Sequence, residues 1–452
     1  MKKKKKKKVK NNWKEKQKKY INKYRNIIKK HKNNIWCPKI NIKYKNINTK
    51  SCWDIKKYST KKNSEFKYKK IKNSKVKEIV KSKKYKMMLT KKQKNILNNW
   101  LCACGIMYNK TLQYIKTEYK KNGNLLLNYY KIRKSLKIEK NEIIKKSNKN
   151  KKERIKVHMI DTAIKLVISN YKSALTNYKQ GNIKHFRMRY KRKNKNNKIV
   201  TIEKEFFKNG ELCKSVFGKI KYIYDKKPIK LKINSSCKIH HNIQTREYSL
   251  YVPEKVKVKK NTKKNIISLD PGIRTFMCGL TNNSVVKIGN NISGKIKKQL
   301  KRLDKINKNK QIPNKIKKKN EKIINRKIKN IVDETHWKSI NYLIKNYGNI
   351  LIGDMSVKGI VNNKTSKLNK MLKRIAYKLK FYKYRQRLIY KCKLHNIGMR
   401  VIDEKYTSKI CSKCGWYNKN LGGNKNYKCN NCKINMDRDI NGCRGIYIKQ
   451  WF

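Results

Sequence analysis

The sequence predicts a multidomain α+β protein, and three patterns along the chain support this prediction. Apolar residues recur at helical spacing between about 88 and 180, and large and polar residues alternate between 181 and 262. From 263 onward, short apolar runs alternate with long basic helical stretches. With 452 residues the chain is long enough for several domains with buried cores. We therefore divide it into a basic N-terminal extension (1–85), a helical domain (88–180), a small β-barrel (181–262) and an α/β domain (263–452).

The helical domain is predicted from two amphipathic stretches. The first begins after Thr90, a residue type that suits a helix N-cap. Its apolar residues follow at helical spacing: Ile96, Leu97, Trp100, Leu101, Cys104 and Tyr108. The second helix is predicted from Met159 to Tyr178, with its apolar residues on one face.

The β-barrel is predicted from the alternating stretches FRMRYKRK, IVTIEKEFF and REYSLYVP. In the first of these, arginines alternate with aromatic residues, a combination that can neutralise phosphates and stack on bases. The candidate nucleic-acid contacts are Arg187, Arg189, Tyr190 and Arg192. An ordinary amphipathic strand with solvated basic side chains explains the same pattern equally well.

The α/β domain is predicted from three apolar strands, IISLD, NILIGD and MRVIDE. FMCGL and VVKIG are expected to extend the sheet after the first of them. Residues 294–346 are predicted to form a basic helical pair broken at Pro313, and residues 364–396 are predicted to be helical. The last helix is expected to begin near Asp439.

The charge of the chain points to a polyanionic partner. Lys and Arg number 126 against 25 Asp and Glu, a formal net charge of +101. Nucleic acid is the natural partner for such a high positive charge, because its phosphates neutralise it. A/T-rich codon usage also contributes to the lysine excess. No apolar run is long enough for a membrane span, and the basic N-terminus lacks the apolar segment of a secretory signal.

The first 85 residues begin with a run of seven lysines from Lys2. One interpretation is a solvated, largely disordered tail. The functional interpretations are a nuclear-import signal or an arm that binds nucleic acid. Composition does not separate these alternatives.

Four of the 13 cysteines form a paired cluster. Two CxxC turns, separated by fourteen residues, each direct two thiolates toward one tetrahedral centre: Cys411, Cys414, Cys429 and Cys432. Four thiolates close the coordination sphere, so the predicted Zn²⁺ is structural. The scattered remainder, including Cys392 and Cys443, is expected to consist of free thiols, which indicates an intracellular, reducing compartment.

Acidic residues are scarce, and three of them end or follow predicted elements. Asp270 ends IISLD before Pro271–Gly272, Glu404 ends MRVIDE, and Asp439 follows Asp437 in DRDING. Three converging carboxylates suit two Mg²⁺ ions in phosphodiester hydrolysis. A single Asp is more often a turn or capping residue, and Asp437 is a candidate cap for the last helix.

The order of these motifs resembles the TnpB family, the transposon-encoded RNA-guided DNA nucleases related to type V CRISPR effectors, with the Fanzor proteins as eukaryotic and viral counterparts. The motifs are SLDPGIRTF, ILIGDMSVKGI, YTSKICSKCG, CNNC and DRDINGCRGI. LTKKQKNILNNWLCACGIMYN also resembles the N-terminal helical motif of that family, and FRMRYKRK its basic strand before the barrel. The resemblance covers most of residues 88–452, is strongest beyond Ile266, and implies a RuvC-like RNase H fold with a zinc ribbon inserted at 407–436.

The resemblance also implies the catalytic residues. The family's first and third catalytic acids fall on Asp270 and Asp439. The second motif of the family usually reads Glu-Asp-Leu after an apolar strand, whereas this sequence has Gly353–Asp354–Met355. The usual catalytic Glu is therefore missing, and Asp354 is one candidate to replace it. Fanzor proteins and some TnpB relatives instead use a Glu just before the TS…CxxCG segment, a place that Glu404 occupies.

The expected function is therefore Mg²⁺-dependent, RNA-guided cleavage of DNA by a transposon-associated protein, with guide RNA and target DNA as partners. The alternative is a catalytically silent homologue that binds nucleic acid and assists or regulates transposition. A zinc-ribbon DNA-binding factor without an RNase H core is a lesser possibility, against which Asp270 and the DRD segment both argue.

Overall fold

The protein is a multidomain α+β chain. The computed structural model describes residues 15, 17–29, 55–59, 78–192, 198–225, 227–243, 247–282, 284–362 and 368–450. Two compact units share these residues: one is formed by 80–256, the other by 257–452 with the N-terminal 79 residues. The lysine run that begins at Lys2 lies outside the described residues.

The N-terminal extension contributes regular structure to the second of these units. Residues 17–29 form helix α1. Strand β1 (Ile55–Ser59) pairs antiparallel with residues Ser284–Ile288. Of the interpretations left open for the extension, a disordered tail does not apply to these two stretches. Lysine and asparagine dominate the composition of the extension and hide the few apolar positions that α1 buries.

The helices of the 80–256 unit follow the predicted pattern. They are α2 (Lys91–Asn122), α3 (Tyr129–Ser135), α4 (Lys137–Ser147), α5 (Val157–Lys179) and α6 (Lys214–Phe217). Thr90 caps α2 as predicted, and it forms a capping box with Gln93 because each side chain accepts from the other residue's backbone N–H. The apolar faces of α2 and α5 pack together around the fully buried Trp100. Both predicted helices are therefore confirmed.

The sheet of this unit has six strands in the order β3-β8-β9-β2-β6-β7. These strands are β2 (Glu78–Met88), β3 (Lys198–Ile202), β6 (Lys221–Tyr224), β7 (Lys227–Pro228), β8 (Cys237–Asn242) and β9 (Glu247–Lys257), and a separate hairpin consists of β4 (Phe207–Lys208) and β5 (Glu211–Leu212). Within the described residues no pairing joins the end strands β3 and β7, so a closed barrel is not shown. β2 precedes the helices in sequence yet lies inside this sheet.

The stretch FRMRYKRK is not a strand, which corrects the prediction from its alternating pattern. Residues 184–192 have no ladder partner. Phe186 and Met188 pack on the apolar core, while Asn109 of α2 binds the Lys191 peptide through its N–H (2.8 Å) and its carbonyl (2.9 Å). The alternation is real, but a side-chain amide satisfies the backbone where a neighbouring strand was expected.

The other unit is built around a six-stranded mixed sheet in the order β1-β12-β11-β10-β13-β14. Its further strands are β10 (Ile266–Pro271), β11 (Met277–Leu280), β12 (Ser284–Ile288), β13 (Asn349–Gly353) and β14 (Gly398–Ile402). β10, β13 and β14 are parallel neighbours, whereas β11 is antiparallel to β10 and to β12. All five strands predicted for this region are confirmed.

Helices cover both faces of this sheet. They are α7 (Ile292–Lys308), α8 (Asn314–Asn346), α9 (Val357–Val361), α10 (Lys370–Leu379), α11 (Phe381–Leu394) and α12 (Arg438–Lys449). α7, α8, α10 and α11 share one core with alternate strand residues such as Ile350 and Ile352, while α12 packs with Leu351 on the opposite face. The break at Pro313 lies between α7 and α8, as predicted.

A small two-stranded sheet precedes α12. It consists of β15 (Asn426–Lys428) and β16 (Asn435–Asp437), paired antiparallel. No helix among the described residues is long and apolar enough to cross a membrane.

Candidate active site and metal centre

The acidic residues singled out in the sequence gather at one edge of the larger unit's sheet. Because β10, β13 and β14 are parallel neighbours, their carboxyl ends share an edge. Asp270 lies in β10, one residue past the pair Leu269↔Ile352, so it is next to Gly353 at the end of β13. Glu404 follows two residues after β14, and Asp439 lies in the first turn of α12.

Glu404 fills the space above Gly353. A β-carbon built on Gly353 would lie 2.5 Å from Cγ and 2.6 Å from Cδ of Glu404, with its Oε1 closer still. Side chains alternate along a strand, so position 353 faces the same side as Leu351, toward α12. The Glu404 carboxyl therefore reaches the place toward which a side chain from residue 353 would project.

Asp270 is accommodated by a second glycine. A β-carbon built on Gly442 of α12 would lie 3.0 Å from Cγ of Asp270 and closer to its Oδ2. One turn earlier on the same helix, Asp439 faces the same region, because residues three apart share a helix face. Ser268, two residues before Asp270, donates its hydroxyl to the carbonyl of Cys443 (2.9 Å) and holds α12 against β10.

Asp437 is the N-cap of α12, the role for which the sequence made it a candidate. Its Oδ1 accepts the backbone N–H of Asp439 at 2.8 Å, and its Oδ2 pairs with Lys287 Nζ at 2.6 Å. The cap fixes the first turn of α12, and with it the position of Asp439.

The three carboxyl groups share one electrostatic environment. Burial, together with the charges of Glu404 and Asp439, raises the pKa of Asp270. Burial raises the pKa of Glu404 to about 8, with the negative charge of Asp354 adding to the effect and an N–H of Met355 opposing it. Burial and neighbouring Asp437 also raise the pKa of Asp439. In each group, burial and nearby negative charge outweigh the nearby basic side chains, such as Arg438 beside Asp270 and Arg385 beside Glu404.

This donor set fits divalent cations. Oε1 of Glu404 is buried without a hydrogen-bond partner, so one hard oxygen remains for a ligand. Oxygen-rich sites of this kind suit Mg²⁺, whose charge would favour the ionised carboxylates that burial disfavours. In the described part of the chain, the four cysteines are the one set of three or more metal ligands whose donor atoms all lie within 4.8 Å of one another. The carboxylates are thus more widely spaced than the thiols.

Asp354 plays a different part from its neighbours. Its side chain is exposed, and its Oδ1 accepts the backbone N–H of Glu404 at 3.0 Å. The residue therefore holds the chain at Glu404 and does not share the face to which Gly353 belongs. Sequence spacing alone gave no sign of this contact.

The four predicted cysteine ligands lie together. Cys411 Sγ is 3.6 Å from Cys432 Sγ, and Cys414 Sγ is 3.6 Å from Cys429 Sγ. Tetrahedral Zn–S bonds of about 2.3 Å require sulfurs roughly 3.8 Å apart, so the cluster fits zinc. The N–H of Cys411 donates to Trp416 O, and Gly415 turns the first knuckle at φ +75°. Four thiolates leave no open coordination position, so a zinc ion bound here would be structural.

Sequence reasoning missed the residue that joins this cysteine cluster to α12. Asn441 is fully buried, and its Nδ2 donates to Ile410 O at 2.9 Å. Its Oδ1 accepts the N–H of Ser412 at 3.0 Å. The position of Asn441, two residues after Asp439, gives no distinctive sequence signal. Its burial and its hydrogen bonds show that it holds the first cysteine knuckle against α12.

The four candidate nucleic-acid contacts lie in the segment without a ladder, in the other unit. The side chains of Arg187, Arg189 and Arg192 are exposed. Tyr190 is 45% exposed, and the Lys116 ammonium lies 4.3 Å from its ring centre. One face of the ring is therefore occupied by a cation, and only the other face is free to stack.

Comparison with known proteins identifies the family. "TnpB-like protein L770" of Acanthamoeba polyphaga mimivirus is 30% identical over 381 residues, covering 79% of this chain and 72% of that protein. "TnpB-like protein R854" of the same virus is also 30% identical over 381 residues, covering 79% of this chain and 71% of its own length. The chain belongs to the TnpB family. It is a transposon-associated protein of the TnpB type.

Two family models match parts of this TnpB-family chain. The Cas12f1-like TNB domain matches residues 381–446, which include the cysteine cluster, and a helix-turn-helix domain matches residues 79–124, which include α2. Among solved structures, the cryo-EM structure of the Cas12f1-sgRNA-target DNA complex is 16% identical with a TM-score of 0.33. That alignment covers 82% of this chain and 99% of the other.

Proposed function

We propose that this protein is an RNA-guided, Mg²⁺-dependent DNA endonuclease with a RuvC-like RNase H core. The observation that carries the proposal is the meeting of Asp270, Glu404 and Asp439 at one sheet edge, where Gly353 and Gly442 leave room for two of the carboxyl groups. The resemblance implies acids at the ends of neighbouring strands and on the last helix, and these three residues lie in those places. Membership of the TnpB family supports the same activity.

The chain's own residues prepare the site for a phosphodiester. Once ionised, the three carboxylates would hold divalent cations. Two Mg²⁺ ions at such a site would supply the charge needed to activate water and to stabilise the leaving oxygen. Asp437 and Lys287 fix the start of α12, and Asp354 fixes the backbone of Glu404, so the carboxylates do not have to be ordered during the reaction.

We further propose that guide RNA and target DNA are the partners that balance the charge of +101. In RNA-guided enzymes base pairing selects the sequence, while the protein contacts the backbone. The exposed side chains of Arg187, Arg189 and Arg192, with Tyr190, are proposed contacts. We also propose the four-part domain division of the chain, with a barrel in residues 181–262.

Purification of the chain with its bound RNA tests the proposal. The RNA is sequenced, a plasmid bearing the matching target beside randomised flanks is added, and cleavage is measured with Mg²⁺ and with EDTA. We expect cleavage that needs both the RNA and Mg²⁺, and binding that weakens steeply between ~50 and ~200 mM salt. Salt-sensitive binding without any cleavage would instead support the catalytically silent homologue.

A further inference from the structure

Helix α1 packs against the segment that carries Glu404. The hydroxyl of Tyr20 donates to Oδ2 of Asp403 at 2.9 Å. The Tyr20 ring lies 5.7 Å from the ring of Tyr406, edge to face. The residues on either side of Glu404 in this segment are therefore held by one side chain from the N-terminal extension.

A buried lysine completes this contact. Lys449 of α12 is 4% exposed, and its ammonium lies 4.6 Å from the Tyr20 ring centre. It donates to the carbonyl of Asp403 at 2.7 Å and also to that of Lys405. The Lys449 ammonium also lies 3.7 Å from Oδ2 of Asp403, so both α1 and α12 hold the Asp403 side chain, and α12 holds its backbone as well.

The far end of α1 is attached to the cysteine cluster. Tyr24 is fully buried and Ile28 is 8% exposed, and both pack with Ile410 and Ile448. Arg25 Nε donates to the carbonyl of Gly415 in the first knuckle at 3.3 Å. The helix therefore spans from the Glu404 segment to the cysteine cluster.

The carbonyl of Glu404 accepts from Thr407 and its carboxyl accepts an N–H of Met355, but these contacts leave part of the carboxyl unpaired. One carboxyl oxygen is buried without a hydrogen-bond partner, and its backbone N–H is held by Asp354. Consecutive side chains in an extended segment point to opposite sides. Anchoring Asp403 on the outer side therefore fixes the direction in which Glu404 projects over Gly353.

We propose that α1 is a clamp on the active-site segment and that Tyr20 is a positioning residue, acting through Asp403 on Glu404. The proposal rests on the proposed function for the role of Glu404, but the clamp itself is independent of it. It gives the N-terminal extension, which the sequence resemblance does not cover, a part in forming the catalytic centre.

Hydrogen exchange of the full chain tests the clamp without any assay of cleavage. Tyr20→Phe removes one hydroxyl and keeps the ring, and Tyr119→Phe, at a tyrosine of α2 that is 53% exposed, is the matched control. The amides to follow are Glu404, Lys405, Thr407 and Lys409, which donate to Asp354, Asp403, Glu404 and Tyr406. We expect these amides to exchange roughly five- to ten-fold faster in Tyr20→Phe, with zinc content unchanged and the control like the parent.

The same variants then distinguish positioning from general weakening. Adding Tyr20→Phe to Asp403→Ala should cause much less further exchange than it causes in the parent, because alanine has no oxygen to accept the Tyr20 hydroxyl. In the cleavage assay, Tyr20→Phe should raise the Mg²⁺ concentration for half-maximal rate several-fold while the melting temperature stays near that of the parent. Unchanged exchange at the four amides, or exchange that rises equally across the whole unit, overturns the clamp. Faster exchange at those amides in a protein that never cleaves DNA supports the clamp and rejects the proposed function.

Discussion

The side chain of Glu404 lies over the α-carbon of Gly353, where its Cγ and Cδ come within 2.5 and 2.6 Å of the β-carbon that any other residue would have. The end of β13 thus has room for a carboxylate from its own last residue or for one that arrives from beyond β14, but not for both. The glycine at position 353 and the glutamate at position 404 therefore belong together: Glu404 can take this place because residue 353 has no side chain.

Moving the acid back to the strand end should therefore be possible. Gly353→Ala should lower cleavage on the order of 10²-fold, because the added methyl displaces Glu404 from its place. Glu404→Gly should be inactive, and adding Gly353→Glu to it should recover a substantial part of the rate. Gly105→Ala is the control: its added methyl group meets nothing within 4 Å, so this variant should match the parent. Gly289 does not serve as a control, because its φ of +66° would strain any other residue. A double variant as inactive as Glu404→Gly would contradict the equivalence of the two positions.

The three proposed catalytic acids should behave differently from Asp354. Asp270→Asn, Glu404→Gln and Asp439→Asn should each abolish Mg²⁺-dependent cleavage, because each removes a charge that holds the cations. Asp354→Asn keeps an oxygen that can accept the N–H of Glu404 and should retain most of the rate. Single-turnover cleavage at saturating guide RNA measures the four variants side by side. Activity retained in Glu404→Gln and lost in Asp354→Asn would reverse the assignment.

Sequence patterns predicted the α/β unit well because its signals are local. IISLD, NILIGD and MRVIDE are strands because apolar runs of that length suit a sheet covered on both faces. The CxxC turns predicted four neighbouring thiols for the same reason. Contacts between distant segments were not visible: Asn441 on Ser412, Tyr20 on Asp403, and Asn109 on Lys191 join residues 29, 383 and 82 positions apart.

The two segments that the sequence patterns described wrongly differ in what pairs with their backbone, which side-chain patterns do not show. FRMRYKRK alternates as a strand does, but alternation reports which side chains are buried and not which group satisfies the backbone. In the N-terminal extension the lysines masked β1, whose place at the sheet edge depends on β12, more than two hundred residues away along the chain. Its strand state is fixed by that pairing more than by its own composition.

Zinc should be required for the fold of the cysteine cluster. Cys414→Ser should lose the metal, whereas Cys392→Ser, at a buried thiol outside the cluster, should keep one Zn²⁺ per chain. Loss of zinc should also reduce cleavage, because Asn441 ties the first knuckle to the helix that carries Asp439. Elemental analysis with thermal melting measures both effects. Folded, zinc-free parent protein with a full rate of cleavage would show that the metal is dispensable.

His336 should make the stability of the larger unit depend on pH. The ring is buried and stacked on Phe276, its Nε2 contacts Leu379 O at 2.9 Å, and Arg387 lies 3.1 Å from Nδ1. Since the guanidinium can only donate, Nδ1 accepts and the imidazole is neutral.

Burial lowers the pKa of His336 to about 4, below its usual 6.5. The unfolded chain then binds the proton more readily, so stability contributed by the neutral ring is complete above pH 6.5 and is lost as pH falls toward 4. The loss should be on the order of 2 kcal/mol. His336→Gln should flatten this part of the melting-temperature profile relative to the parent, and equal slopes in the two proteins would argue against the assignment.

Cation binding at the acid cluster should release protons. Without metal, burial raises the pKa of Glu404 to about 8, and the pKa values of Asp270 and Asp439 are also raised. Between pH 4.5 and 8 the folded protein therefore holds a proton at Glu404 that the unfolded chain has given up, and the stability of the metal-free protein falls as pH rises through that range. Mg²⁺ needs the carboxylate and must displace the proton.

Calorimetric titration of the metal-free protein with Mg²⁺ at pH 7, in two buffers of different ionisation enthalpy, measures this release. We expect up to one proton from Glu404 per chain and a smaller number at pH 8.5, where the group is already largely ionised. Mg²⁺ should also raise the melting temperature more at pH 8 than at pH 5, since repulsion among the carboxylates is greatest when all three are charged. Glu404→Gln should bind Mg²⁺ more weakly and release fewer protons, while Tyr119→Phe should titrate as the parent does. Binding heats that are the same in both buffers would mean that Glu404 is already ionised without metal, and its burial would then have to be balanced by a cationic group of the chain.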